Sequence, residues 1–196
     1  MPKNRWVRGA LAVLAIMIGL FATLGESESG GDGDSSDSNG GNDKTGAAEA
    51  APSTRDNPVP LGTEIEVAAG WNLKVNSAEL DANATVAAVN QFFTPDPGNQ
   101  YVLVNVTITN TSDQPDEPWV NLKVSLLPPS GVSQDPEFLI GLPGELDTMA
   151  QLQPGASLTG VVPFQVPSSE IDGTVLLGQS QFTLDEAKDQ KFLAIS

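Results

Sequence analysis

Residues 101–110 read YVLVNVTITN, and apolar and polar side chains alternate from Val104 to Thr109. Branched apolar residues occupy every second position from Val102 onward, while Asn105 and Thr107 lie on the opposite face. Such an alternation of strong β formers predicts a strand that buries one face and exposes the other. The polar run NTSDQP at residues 110–115 predicts a turn after this strand.

The same two-residue period recurs in the rest of the chain after residue 57. Further strands are predicted at residues 63–68, 71–80, 119–126, 158–166, 174–184 and 192–195, with a weaker one at residues 85–93. Pro163 has no N–H to donate to a ladder, so its strand is expected at a sheet edge or with that position pointing outward. Seven or eight short strands separated by turn residues predict an all-β fold, an antiparallel β-sandwich.

One connection in this pattern is long for a sandwich. Residues 131–153 contain the apolar run FLIGLPGELDTM at positions 138–149. Because a polar loop would not need so many apolar residues, we expect this segment to fold back over the sheets. One helical turn is predicted within it, at residues 144–150.

The chain before residue 58 has a different composition. Lys3, Arg5 and Arg8 precede an uncharged apolar run at residues 9–25, which as a helix would span about 25 Å. Residues 26–57 are rich in Gly, Ser, Asp and Glu and contain no aromatic residue and no Val, Ile or Leu, so they cannot offset their own ordering entropy. We therefore predict three parts: a signal peptide or signal anchor helix at 1–25, a disordered acidic linker at 26–57, and the sandwich domain at 58–196.

Two outcomes remain open for the N-terminal run. Cleavage after Ala22 or Gly25 would release a secreted protein, whereas a retained helix would anchor the chain in the membrane. The basic flank predicts that the N-terminus stays in the cytoplasm. Both outcomes predict an extracytoplasmic domain, and contact with the membrane is expected through residues 6–25 only.

Composition also excludes several kinds of chemistry. The chain contains no Cys and no His, so it has no thiolate nucleophile, no imidazole base and no Cys-based zinc site. Beyond residue 25 it carries six Lys and Arg against 25 Asp and Glu, and such a surface repels nucleic acid. Glu145 and Asp147 could form a carboxylate pair for glycoside hydrolysis, but two acids this close in a loop indicate it only weakly. We predict a chain that is not an enzyme and uses no cofactor.

Two groups of residues are candidates for binding. Asp113, Asp116 and Glu117 crowd one turn and could hold calcium through oxygen ligands, although a solvated turn explains them as well. Trp71 is in phase with the apolar face of its strand and is predicted in the core. Trp119 is out of phase with its apolar neighbours, so we predict an exposed contact there, or packing under a crossing loop.

Three motifs resemble a known family. YVLVNVTITNTSDQP, LQPGASLTGVVPFQVP and LGTEIEVAAGWNLKVNSAEL look like the strand and turn signatures of an uncharacterised "domain of unknown function" family of bacterial envelope proteins and lipoproteins. That family is similar to the actinobacterial immunoprotective extracellular antigen. The resemblance covers about residues 58–196 and implies an immunoglobulin-like fold and an envelope location. It transfers no functional residue, and the lipid-bearing Cys of the lipoproteins is missing here.

These observations predict a non-catalytic, extracytoplasmic, membrane-tethered module that contacts a protein or a cell-wall component. The alternative is a small-ligand or calcium-binding sensor domain of the envelope, which the acidic loops suggest. The identity of the partner does not follow from the sequence.

Overall fold

The computed structural model describes residues 53–182 and 189–196. Within them the chain forms seven strands, two short helices and one 3₁₀ turn. The strands are β1 (Glu64–Ala68), β2 (Trp71–Glu79), β3 (Asn99–Asn110), β4 (Leu122–Leu127), β5 (Ser157–Pro167), β6 (Val175–Ser180) and β7 (Lys191–Ala194). The helices are α1 (Asn83–Val89) and α2 (Pro118–Asn121), and the 3₁₀ turn is Ser168–Glu170.

The strands form two antiparallel sheets. One sheet has the order β1-β2-β3-β5 and the other has the order β4-β6-β7. The alternating face of β3 that carries Val102, Val104 and Val106 is buried, together with Trp71 from β2 and Phe164 from β5. The predicted antiparallel β-sandwich is therefore confirmed, and so is the prediction that Trp71 lies in the core.

Pro163 lies on β5, which pairs with β3 alone and is therefore an edge strand of its sheet. This agrees with the expectation for a strand that contains proline. The free edge of β5 is not exposed, because the loop between β4 and β5 pairs with it. The Glu137 N–H donates to the Pro163 carbonyl at 2.8 Å, and Val161 exchanges bonds with Gly144 and Leu146.

The prediction of a weaker strand at residues 85–93 was wrong. The chain at residues 83–89 is helix α1, although Thr85, Val86 and Val89 are strong β formers. The backbone at Ala82 still bonds to Tyr101 on β3, and the Asn83 side chain accepts a bond from the Tyr101 N–H, after which the chain turns away as a helix.

The predicted strand at residues 119–126 starts later than expected. Pro118 occupies the first turn of α2, where its missing N–H costs nothing, and so β4 begins only at Leu122.

The loop at residues 131–153 folds over the sheets as predicted. Four leucines of the loop are buried: Leu139, Leu142, Leu146 and Leu152. The helical turn predicted at residues 144–150 does not form. Gly144 adopts a positive φ of 71°, and the Asp147 carboxylate accepts a bond from the Met149 N–H, which is a turn rather than a helix.

Residues 53–57, which composition assigned to the linker, contact the folded domain. The Ser53 hydroxyl donates to the Phe192 carbonyl at 2.7 Å and accepts the Phe192 N–H at 2.6 Å. The Arg55 guanidinium donates to the Pro128 carbonyl, and Val59 pairs in parallel with Leu193. Residues 53–57 therefore bond to β7 and to the chain after β4.

The predicted N-terminal helix and the rest of the linker, including residues 6–25, lie outside the described residues. Among residues 53–182 and 189–196, no helix has the length and apolar character needed to cross a membrane.

Candidate binding cleft

Trp119 is held in a defined orientation although half of its side chain, 51%, is exposed. Its backbone N–H donates to the Thr148 carbonyl at 3.1 Å, which ties α2 to the loop at residues 131–153. Its indole Nε1–H donates to a carboxylate oxygen of Glu117 at 2.8 Å. The ring is thus presented to solvent with its polar atom already satisfied, and its predicted exposure is confirmed.

The acidic residues next to Trp119 serve the turn itself. The Asp116 carboxylate accepts bonds from the Glu117 N–H at 2.8 Å and from the Asn121 side chain at 2.9 Å. Asp116 also pairs through its backbone with Leu152. Asp113 is exposed.

The geometry does not gather these carboxylates into a metal site. No group of three or more acidic side chains in the described part of the chain could hold a metal ion. The calcium interpretation of Asp113, Asp116 and Glu117 receives no support from this arrangement.

A cleft of about 560 Å³ opens beside Trp119, between the edge of β4 and the edge of β5. We call it the Trp119 cleft. Its buried apolar residues come from both sheets and from the loop: Val106, Ile108, Leu122, Leu146 and Val162. Trp119 and Phe138, which is 78% exposed, line it as well. Its volume lies within the usual range for ligand pockets.

The course of the chain at residues 134–137 creates this opening. Gln134 pairs with Leu126 on β4, whereas Pro136 pairs with Phe164 on β5. The chain therefore crosses from the edge of one sheet to the edge of the other. The edge of β4 before Leu126 is left uncovered next to the cleft.

The cleft carries more negative than positive charge. Among the described residues, three carboxylates line it, from Asp135, Glu137 and Glu145, together with the ammonium group of Lys123. The Lys123 Nζ lies 3.7 Å from a carboxylate oxygen of Asp135, and both side chains are well exposed. The lining therefore has a net charge of about −2, since three acids face one base.

The possible catalytic pair Glu145 and Asp147 does not face one site. Glu145 lines the cleft, whereas Asp147 is not among its lining residues and its carboxylate caps the Met149 N–H at 3.2 Å.

The charge of Glu137 also acts on a buried neighbour, Tyr101. Burial raises the pKa of Tyr101, and the carboxylates of Glu137 and Asp96 raise it further.

A second cavity of about 620 Å³ lies between α1 and the loop around Leu142, over the outer face of β2 and β3. Its lining is mostly small or apolar, and Glu79 is its one charged residue. The Glu79 carboxylate accepts the hydroxyl of Thr85 at 2.6 Å. This cavity has neither an aromatic ring nor a free sheet edge among its lining residues, so the Trp119 cleft is the stronger candidate.

Sequence reasoning found Trp119 but missed Phe138. Within the run FLIGL, Leu139 and Leu142 are buried whereas Phe138 and Ile140 are exposed. Because all four side chains are apolar, the sequence does not indicate which of them face the sheets. That depends on the pairing of residues 134–137 with two different strands.

The two packed antiparallel sheets define a β-sandwich domain, and an aromatic cleft opens between their edges. The chain belongs to the family described as "Domain of unknown function (DUF4352)", which matches residues 67–191. The predicted resemblance to an uncharacterised family is confirmed. No curated protein matches the chain.

Several solved structures are similar to it. The yjhA protein from Bacillus subtilis shares 15% identity over 70% of this chain and 99% of its own, with a TM-score of 0.48. The secreted protein MPT63 from Mycobacterium tuberculosis shares 14% identity over 69% of this chain and 94% of its own, with a TM-score of 0.43. An uncharacterized beta-sandwich protein from Clostridium difficile shares 12% identity over 71% and 95%, with a TM-score of 0.42.

Proposed function

We propose that this chain is a non-catalytic binding module of immunoglobulin-like fold that works outside the cytoplasm, and that the Trp119 cleft holds its partner. The observation that carries the proposal is the pair of exposed aromatic rings, Trp119 and Phe138, on a cleft whose floor is apolar. Large aromatic side chains in such a position supply much contact area at a small entropic cost.

The fixed geometry of Trp119 strengthens this proposal. Its indole N–H and its backbone N–H both have partners, so the ring needs little further ordering when a partner packs against it. A site that is ordered before binding loses less conformational entropy on binding. This favours a role in recognition over a role in stability, since about half of the Trp119 surface stays exposed and adds no buried apolar area to the fold.

The proposed location rests on the order of the N-terminal sequence. A basic flank, an uncharged apolar run at residues 9–25 and an acidic, Gly- and Ser-rich tract follow one another directly. This is the order of an exported chain, whose tether keeps the domain near the membrane if the apolar helix is retained. The absence of Cys and His from the whole sequence supports a role without catalysis.

Labelling of intact cells tests the location. Because the chain has no Cys, a Gln151→Cys variant carries a single thiol on an exposed residue of the domain. We expect a membrane-impermeant maleimide to label it in intact cells. An Asn4→Cys variant is the control, because its thiol should be labelled only after permeabilisation, or be lost from the mature protein if cleavage occurs. A Gln151→Cys variant that reacts only in lysed cells would overturn the proposed location.

Co-sedimentation with purified cell-wall and membrane fractions tests the cleft. We expect Trp119→Ala combined with Phe138→Ala to lower the bound fraction. Phe92→Ala is a matched control, because Phe92 is 81% exposed but does not line the Trp119 cleft. Equal binding by all three proteins would show that the cleft is not the site.

The turn does not favour calcium binding, because the carboxylates of Asp116 and Glu117 accept hydrogen bonds within it. The cavity beneath α1 could also hold a small ligand, but Glu79, the one charged residue among its described lining residues, is already bonded to Thr85.

A further inference from the structure

The hydrogen-bond pattern of β4 determines which of its peptide groups face the cleft. The Asn121 carbonyl accepts the Gln181 N–H, so the odd-numbered residues of this stretch point their peptide groups toward β6. Leu126 exchanges both of its bonds with Gln134 on the opposite side. Since the direction alternates along an antiparallel strand, the N–H and C=O of Val124 also point away from β6.

Val124 has no hydrogen-bond partner on that side among residues 53–182 and 189–196. In the register set by Leu126 and Gln134, Pro136 would stand opposite Val124, but proline has no N–H to give. The chain leaves β4 at this point and bonds to β5 through Glu137 instead. One strand edge is thus open where Val124 lines the Trp119 cleft.

We propose that the Trp119 cleft binds a short extended polypeptide, which adds as a fourth strand beside β4 and places a Lys or Arg side chain near Glu137 and Glu145. This inference rests on the proposed function and names the chemistry of the partner. The peptide groups of Val124 would supply main-chain bonds, and alternate side chains would enter the apolar floor between Trp119 and Phe138.

Charge complementarity selects a basic segment. Lys123 already pairs with Asp135, which leaves the carboxylates of Glu137 and Glu145 for a cation from the partner. Both residues are partly buried, so a charge-assisted bond to them is less screened than one at a fully exposed site. A second copy of this chain fits poorly, because the chain carries 25 Asp and Glu against nine Lys and Arg.

Fluorescence anisotropy with the full chain tests the inference. The probes are labelled hexapeptides in which Val alternates with Thr and one Thr is replaced in turn by Lys or Arg. Twins with Glu at the same position test charge. Two further versions are N-methylated, one at the odd-numbered and one at the even-numbered residues of the peptide; we call these the two N-methylated phases. Each phase removes the backbone N–H donors from one edge of the extended peptide. Chitohexaose is the glycan probe.

We expect the basic peptides to bind and the Glu twins to bind about ten-fold more weakly or worse. One N-methylated phase should lose about ten-fold in affinity while the other binds normally, because strand addition uses a single edge. Val124→Pro should weaken binding by a similar factor, since an edge strand tolerates proline but loses the donor. Val124→Thr keeps the donor and is its control. If Val124→Pro does not fold, the two N-methylated phases decide the question alone.

Three results would overturn the inference: no binding of any basic peptide, equal binding of the Glu twins, or equal binding of both N-methylated phases. Binding of chitohexaose alone, lost in Trp119→Ala, would overturn strand addition while keeping the Trp119 cleft as the site. If no probe binds, and if the Trp119→Ala, Phe138→Ala double variant co-sediments as well as the wild type, the proposed function is overturned too.

Discussion

Tyr101 is the sole tyrosine of the chain and lies near the start of β3 with its side chain almost fully buried. Its backbone N–H donates to Asn83 at 2.9 Å, so the residue also fixes the beginning of α1. Burial and the nearby carboxylates of Glu137 and Asp96 raise the pKa of its phenol above the usual value of 10.0. The native state therefore favours the neutral phenol more strongly than the unfolded state does.

This shift predicts a loss of stability at alkaline pH. A group whose pKa is raised on folding contributes its stability fully below the unfolded pKa of 10.0, and that contribution is lost as the pH rises through the folded pKa. Thermal melts between neutral and strongly alkaline pH should show a smaller loss of stability for Tyr101→Phe than for the wild type above pH 10.0. Absorbance at the phenolate band gives an independent reading, since no other tyrosine contributes. A midpoint at or below 10.0 would contradict the assignment.

The two tryptophans of the sandwich make a matched pair. Trp71 is 2% exposed in the core, whereas Trp119 is 51% exposed on the cleft. We expect Trp71→Ala to lower the free energy of unfolding by about 3–5 kcal/mol through the cavity that it leaves. Trp119→Ala should cost clearly less than Trp71→Ala, because about half of Trp119 is already exposed. Urea unfolding monitored by circular dichroism measures both, and a large cost for Trp119→Ala would indicate a structural role.

β5 shows how one position without a side chain allows a loop to pack on a sheet. At Gly160 an added Cβ would lie 2.6 Å from the Cα of Leu146, which belongs to the loop at residues 131–153. Real Cβ atoms do not approach a backbone so closely, so the glycine is required by the crossing loop. Because Leu146 also lines the Trp119 cleft, this contact helps to shape the candidate site.

Gly178 on β6 provides the control for this contact. An added Cβ there would meet the side-chain methyl groups of Leu73 and Val67 at 3.1 Å, not a backbone. We therefore expect Gly160→Ala to lower the free energy of unfolding by about 2–3 kcal/mol and Gly178→Ala to cost clearly less. Chemical denaturation of both variants checks the order. Equal costs would mean that the loop can move away from β5 without penalty.

The strongest strand of the fold was predictable because its pattern is local. β3 alternates between apolar and polar residues from Val104 to Thr109 and contains no breaker, so the sequence alone indicates its type and the face that packs in the sandwich. Helix α1 was not predictable in this way, since Thr85, Val86 and Val89 favour strands and tertiary contacts override that preference. Those contacts are made within one apolar cluster that contains Tyr101, Leu103, Leu139 and Leu142. Pro118 is typical of the first turn of a helix, but the apolar alternation that follows it favours a strand, so the sequence did not indicate α2.

The candidate site was predictable only in part for the same reason. Trp119 stands out because it breaks the phase of its neighbours, which is a local signal. The free peptide groups of Val124 depend on pairings between residues that are distant in sequence, such as Leu126 with Gln134 and Pro163 with Glu137. No local pattern contains that information, because it arises only when the loop is placed against both sheets.

The described part of the chain begins with a segment that is bound to β7. Ser53 and Val59 both bond to β7, the strand nearest the C-terminus, so the two ends of the sandwich domain lie side by side. Arg55 adds a bond to the carbonyl of Pro128, which follows β4. Ser53 and Arg55, which composition placed in the linker, thus bond to the domain through their side chains, and Val59 pairs with β7 through its backbone.

Truncation measures what this segment contributes. We expect removal of residues 1–52 to leave the free energy of unfolding unchanged within error. Removal of residues 1–57 should lower it by about 1–2 kcal/mol, because the bonds of Ser53 and Arg55 are lost. Denaturant unfolding of the two truncated proteins at equal concentration checks this. Identical curves would show that residues 53–57 rest on the domain without stabilising it.

The pairing of residues 53–59 with β7 also has a mechanical consequence. Any tension applied through the chain before Ser53 reaches the sandwich first at the bonds to Phe192 and Ala194. If those bonds break before the rest of the fold, stretching releases about 25 Å of chain, at roughly 3.5 Å for each of the seven residues. Residues 53–59 would then detach from β7 under load, while the two sheets and the cleft between them stay intact.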